Sequence, residues 1–208
     1  MSSSSVDSVT GLPIRSVFER DFADAIQKAD AGPITLALVD IDHFAAHNEA
    51  LGHDGGDAIL KAVADILCGM PGAKVMRYGG DELAVLFIGV EREQAFLRLE
   101  KAREGAEGIA ALSVGDASKS LRLSISIGAA AYPIDGTGEA ELMRKADGAL
   151  YRAKIGGRNK VMLAFEDKLA PKTAHFTVTQ LDRLAELAKE QGVRSEERRV
   201  GKECRSRW

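Results

Sequence analysis

The chain has 208 residues, 45% of them hydrophobic, and carries 28 Lys and Arg against 31 Asp and Glu, which suits one sizeable α/β domain with a real core. No run approaches the roughly 18 uninterrupted apolar residues of a membrane span, and the opening MSSSSVDS has neither the basic start nor the apolar stretch of a secretory signal, so a cytoplasmic location is expected. Cys68 and Cys204 are too few and too far apart for a disulfide framework or a thiolate metal site, which excludes cysteine chemistry.

After a start expected to be disordered over residues 1–8, apolar positions at Ile14, Val17, Phe18, Phe22, Ala25, Ile26 and Ala29 predict an amphipathic helix ending before Gly32-Pro33. Ile34 to Val39 reads as a buried strand whose polar tip is Asp40-Ile41-Asp42. A loop or short helix over 43–51 leads through Gly52-His53-Asp54-Gly55-Gly56 to a helix presenting Ile59, Leu60, Val63, Ile66 and Leu67. Lys74 to Tyr78 and Glu82 to Ile88 read as strands joined by a Gly79-Gly80-Asp81 hairpin. A weaker helix follows over about 91–103, then an unassigned stretch to Ser120. Leu121, Leu123, Ile125 and Ile127 alternate with polar residues, which predicts a half-buried strand. Leu142, Met143, Ala146, Ala149, Leu150 and Ala153 form another helical face, closed by Gly156-Gly157, and 160–164 is a last strand. From Ile34 the order is strand, helix, strand, strand, helix, strand, the split βαβ pattern of ferredoxin-like folds. The expected class is thus α/β (α+β), with a mostly antiparallel central sheet flanked by helices. Such folds host many functions, so the site must decide.

Residues 9–165 form the expected domain. Thr173 to Val193 reads as a short strand and an amphipathic helix with Leu181, Leu184, Ala185 and Ala188, similar to the first half of a ribbon-helix-helix unit or, equally, a C-terminal helix packed on its own domain. Arg194 to Trp208 has no apolar periodicity and resembles the translation of a sequencing adapter. It holds six Lys or Arg and three Glu, so without it 28 and 31 become 22 and 28, a net charge of −6. The basic tail is therefore not read as a nucleic-acid patch.

Asp40 ends one strand and Asp81 sits on a hairpin, and converging carboxylates are what Mg²⁺ needs, because it takes hard oxygen ligands and keeps water and phosphate in its remaining positions. Taken singly, each Asp reads as a solvated strand end, Asp57 as the N-cap of the following helix, and Lys154 and Arg158 as a solvated basic helix end favoured by the dipole. His43, His47 and His53 match no zinc spacing.

The combination is more specific than its parts. Asp40-Ile41-Asp42-His43-Phe44, Asn48, Gly52-His53, Gly56-Asp57 and Arg77-Tyr78-Gly79-Gly80-Asp81-Glu82-Leu83 occur in order, with Asp7-Ser8-Val9-Thr10-Gly11-Leu12 before them and Ser126-Ile127-Gly128, Ala146-Asp147, Ala149-Leu150-Tyr151, Ala153-Lys154 and Gly157-Arg158-Asn159 after. Over about residues 7–164 the chain resembles the GGDEF family of diguanylate cyclases, with their palm-type βαββαβ fold. The resemblance implies that Asp40, the Ile41 carbonyl and Asp81 hold Mg²⁺ or Mn²⁺, and that Glu82 assists the metal or deprotonates a 3′-hydroxyl. It puts Asn48 and Asp57 on guanine, Phe44, His53, Gly79 and Gly80 along the nucleotide, and Lys154 and Arg158 on the β- and γ-phosphates. Each domain then binds one GTP, and two chains must face each other as a transient homodimer to make cyclic di-GMP. No membrane partner is expected, and nucleic acid only if the segment after 165 binds DNA.

Several departures stand out. Ala45 replaces a usual Lys, Leu83 a usual Phe and Ile14 a usual Asn. An Arg-x-x-Asp product site common in the family falls on Met70 and Ala73. The alternative reading is a weak or inactive GGDEF domain that only binds GTP or cyclic di-GMP.

Overall fold

The apolar run from Ile34 becomes the middle of a five-stranded sheet. The structure, a computed structural model, describes residues 5–27, 32–109, 111–114, 117–120 and 122–164. Among these, α1 is Arg15–Gln27, β1 Ile34–Ile41, α2 Phe44–Cys68, β2 Ala73–Arg77, β3 Glu82–Ile88, α3 Arg92–Glu107, β4 Ala111–Val114, β5 Ala117–Ser120, β6 Ile125–Tyr132, α4 Glu139–Ile155 and β7 Val161–Leu163. The sheet order is β2-β3-β1-β6-β7, antiparallel except for the β6 and β7 pair, while β4 and β5 form a separate hairpin. The parallel pair is joined by the α4 crossover, as a parallel connection requires.

The sheet is covered on both faces. Ala37, Val39 and Ile41 of β1, Leu83, Val85 and Phe87 of β3 and Ile127 and Ala129 of β6 face one core with α2 and α3 residues such as Ile59, Val63, Leu67 and Leu99. Ile34, Leu36 and Leu38, Ala84 and Leu86, and Ala130 face the other, with Phe18 and Phe22 of α1 and Leu142, Ala146 and Leu150 of α4. Alternate residues thus enter opposite cores, which is why these strands read as continuous apolar runs.

This palm-type arrangement agrees with the expected fold, with local corrections. β6 starts at Ile125, and all of it except Tyr132 is buried, so it is not the half-buried alternating strand expected from Leu121. The hairpin β4–β5 fills the stretch left unassigned. Residues 5–8, expected to be part of a disordered start, are held: Val6 bridges Pro13, and the Asp7 amide donates to the Leu12 carbonyl at 2.8 Å. Of the loop or short helix expected over 43–51, the helix is what forms from Phe44, and it joins the helix after it in one element, α2, broken at Gly52 (φ 77°, ψ 176°). That φ lies in the region open to glycine, so Gly52 separates the two arms. Asp57 lies inside the second arm and is not its N-cap. Among the described residues no helix is long and apolar enough to cross a membrane. The expectations for 166–193 and for the tail from 194 lie outside the described residues.

Candidate active site

Asp40 is the last acidic residue within β1, and register places it opposite Glu82 on one side and Ser126 on the other. It is only 6% exposed. The connection from β2 to β3 returns close to it: Tyr78 and Gly79 amides both donate to the Glu82 carbonyl at 3.0 Å, and the Ile41 amide donates to the Asp81 carbonyl at 3.3 Å. Asp40, Asp81 and Glu82 are thereby gathered at one end of the sheet.

From the last turn of α4, Lys154 donates from Nζ to Asp40 Oδ2 at 2.6 Å. Burial pushes the Asp40 carboxyl above its ordinary range, Lys154 works against that, and the charges of Asp81 and Asp42 reinforce it. Glu82 is raised too, first by burial and then by Asp40, with Lys154 opposing and Asp81 and Asp147 adding. The position is short of positive charge, and burial makes that shortage count. A divalent cation suits such a donor set. Among the described residues no group of three His, Cys, Asp or Glu side chains is placed to hold a metal ion by itself; Mg²⁺ commonly takes one or two carboxylates and completes its shell with water and phosphate.

The hairpin loop has its own support, which sequence reasoning missed. Arg77 donates from Nε to the Gly79 carbonyl at 2.6 Å and from Nη2 to the Gly80 carbonyl, and its Nη1 lies 3.6 Å from Asp7 Oδ1. Asp7 also accepts from the Thr10 amide at 2.8 Å and hydroxyl at 2.6 Å. Burial opposes its charge, but the Thr10 bonds and Arg77 hold its carboxyl below the usual value. The signal was present in the sequence as Asp7 and Thr10 of the opening motif and Arg77 of the signature, yet spacing alone does not say that they meet.

The glycines differ in their reasons. A Cβ on Gly79 would lie 3.0 Å from Glu82 Oε2, whereas one on Gly80 would meet nothing within 4 Å. Gly80 also has no left-handed φ, so neither packing nor conformation within the chain demands glycine there.

Other expected site residues occupy one helix. Phe44 opens α2 and packs on the core beside it. Asn48 lies in the first arm, and a Cβ on Gly56 would fall 1.8 Å from Asn48 Oδ1, so the glycine makes room for the amide. His53 and Asp57 are exposed on the second arm. Arg158 is exposed in the turn after α4.

A family profile described as "Diguanylate cyclase, GGDEF domain" matches residues 4–160. The chain belongs to the GGDEF family. Among GGDEF relatives, it is 33% identical over 162 residues to the probable diguanylate cyclase DgcT of Escherichia coli K12, covering 76% of this chain and 35% of that protein. It is 32% identical over 160 residues to the response regulator PleD of Caulobacter vibrioides, covering 75% and 35%. A third relative, the cyclic di-GMP phosphodiesterase NbdA of Pseudomonas aeruginosa, is 32% identical over 157 residues, covering 74% and 20%. The chain therefore spans about a third or less of the length of these relatives. The structure superposes on the crystal structure of the GGDEF domain of DgcB from Caulobacter crescentus in complex with c-di-GMP with a TM-score of 0.71 and 30% identity, covering 78% of this chain and 97% of that one.

Proposed function

We propose that this chain is a diguanylate cyclase unit that, paired with a second copy, condenses two GTP into cyclic di-GMP and two pyrophosphates. The observation that carries the reading is the meeting of Asp40, Glu82, the Asp81 loop and Lys154 at one sheet end, within a GGDEF fold. Asp40, Asp81 and the Ile41 carbonyl would hold Mg²⁺ or Mn²⁺. When bound there, the cation would supply charge neutralisation for the transferring phosphoryl group and acidify the attacking hydroxyl.

The remaining work falls to the chain. Glu82, raised by burial, is suited to take the 3′-hydroxyl proton while the 3′-oxygen attacks the α-phosphorus held by the other copy. The bond from that phosphorus to pyrophosphate breaks, and the exchange repeats in the opposite direction. Lys154 and Arg158 meet the β- and γ-phosphates and stabilise the leaving charge. Gly80, required by nothing within the protein, leaves room for the nucleotide. Purified chain incubated with GTP and Mg²⁺ should yield cyclic di-GMP by mass spectrometry, at a rate per chain that rises with protein concentration because two loaded copies must meet. GTP bound but never turned over at any concentration would leave the binding-module reading. That reading has its own observation in Ala45, exposed in the first turn of α2 where the family usually carries Lys.

Asp57 accepts from guanine N1–H and the exocyclic amine, and adenine would leave it unpaired. Asp57→Ala is expected to erode the preference for GTP over ATP by about 1–3 kcal/mol for each unmet guanine donor. Competition binding with both nucleotides checks this, and equal binding of GTP and ATP by the starting protein would refute it.

Met70 is buried at 7% exposure, and Ala73 opens β2. Neither offers a charged grip on a guanine or a phosphate. Added cyclic di-GMP is expected to inhibit only in competition with GTP. Rates measured at rising GTP would expose a noncompetitive component, which would contradict this.

A further inference from the structure

Asp42, two residues beyond Asp40, is 2% exposed and has no part in the chemistry above. Its Oδ1 accepts from the Ser126 hydroxyl at 2.7 Å, and its Oδ2 from the Ser124 hydroxyl at 2.7 Å and from the backbone N–H of Asn159 at 3.1 Å. The Asp42 amide itself donates to the Ser124 carbonyl at 3.0 Å. The carboxylate is therefore satisfied by hydroxyls and one amide, the condition under which a buried charge is tolerated.

The amide it captures belongs to an unusual turn. After α4 closes, Gly157, Arg158 and Asn159 have φ of 103°, 62° and 46°. Arg158 and Asn159 are not glycine, and left-handed backbone at such residues persists only where the surroundings hold it. Asn159 is held from two sides, its N–H by Asp42 and its Oδ1 by Arg103 Nη1 of α3 at 3.0 Å. The turn carries Arg158 between these grips and the end of the helix that presents Lys154.

We propose that Asp42 is a positioning residue: anchored by Ser124 and Ser126, it pins the Asn159 amide and fixes the left-handed turn that places Arg158 against the triphosphate. The proposal rests on the GTP-binding role assigned to Arg158 above. Asp42 is buried with both carboxylate oxygens engaged within the chain, so its effect should pass through Arg158 and be felt only by nucleotides with β- and γ-phosphates.

The test is a double-mutant cycle of Asp42→Ala and Arg158→Ala, reading the binding of GTP and of guanosine monophosphate in Mg²⁺. Asp42→Ala should weaken GTP about tenfold and guanosine monophosphate by less than about twofold, and in the Arg158→Ala background it should change GTP binding by less than about twofold. Loss of both nucleotides alike, or a loss of GTP that persists without Arg158, would overturn the proposal. The second result would move Asp42 to the metal side of the site. Asp42→Asn keeps the shape and an oxygen for the Asn159 amide, so it should retain GTP affinity within about threefold. A folded Asp42→Asn that loses GTP as fully as Asp42→Ala would refute pinning. Hydrogen exchange of the Asn159 amide is independent of nucleotide. It should be slow in the parent and in Asp42→Asn and at least about tenfold faster in Asp42→Ala. If exchange behaves so while the parent binds GTP no better than guanosine monophosphate, the pin stands and the phosphate role of Arg158 falls. Unchanged exchange removes the pin itself.

Discussion

Asp81→Asn is expected to lower cyclic di-GMP formation by on the order of a thousandfold, the scale on which preorganised charge at a phosphoryl-transfer site acts, with little change in stability. Asparagine has the same outline and keeps the Asp81 carbonyl that accepts from the Ile41 amide, so the loop should stay in place. What goes is one negative charge at the proposed cation position. Asp40→Asn should be equally inactive but differ in stability. The fold holds Asp40 above its ordinary range, through burial first, so its charge opposes folding at neutral pH and the neutral amide should not lower Tm. Chromatographic assay of product beside thermal melts reads both effects. Full activity in Asp81→Asn with an unchanged Mg²⁺ requirement would sink the metal assignment.

Gly128→Val should be the most destabilising single change in the sheet. A Cβ at Gly128 would lie 2.1 Å from the Leu150 nitrogen, 2.3 Å from the Ala146 carbonyl oxygen and 2.6 Å from the Leu150 Cα. These are backbone atoms of α4 and cannot rotate aside, so the whole helix would have to lift. Overpacking of this kind costs about 3 kcal/mol or more, which lowers Tm by about 6–12 °C in a domain of this size. Because α4 also delivers Lys154, activity should fall with stability. Gly80→Ala makes the contrast: open space surrounds that position, so Tm should hold while GTP binding weakens. Melting and nucleotide titration of the two variants separate the reasons for the two glycines. A Gly128→Val protein as stable as its parent would show that α4 does not rest there.

The sequence showed the elements more readily than their junctions. Apolar runs at Ile34 and Glu82 and the helical spacing around Ile59 and Leu150 were readable because burial leaves a periodic mark. The paired strands β4 and β5 were missed because their sequences, Ala-Leu-Ser-Val and Ala-Ser-Lys-Ser, carry little apolar contrast. β6 was misread because Ser124 and Ser126 look like the polar half of an alternating strand. Ser126 is instead buried, as a donor to Asp42. That is a hydrogen-bond demand arising 84 positions away, and no local pattern records it. The same holds for Arg77, whose partners at Asp7, Gly79 and Gly80 could be named from the motifs but not joined. For Asp57, capping chemistry was the wrong local rule, because Gly52 had already set the start of the second arm of α2.

The two carboxylates at the sheet end are mounted with unequal firmness. Asp40 belongs to β1, paired along its length with β3 and β6 and covered on both faces. Asp81 belongs to the connection between β2, an edge strand, and β3, kept in place by the Ile41 amide, the Arg77 guanidinium and the Tyr78 and Gly79 amides on the Glu82 carbonyl. Excursions of that connection need break only those few contacts, while movement of Asp40 would need the core to open. The grip thus has one fixed jaw and one that yields. In the proposed reaction, loosening the Asp81 side would ask less of the fold than moving Asp40, and substitutions at Arg77 or Asp7 would act on that side without touching the packing of the cores.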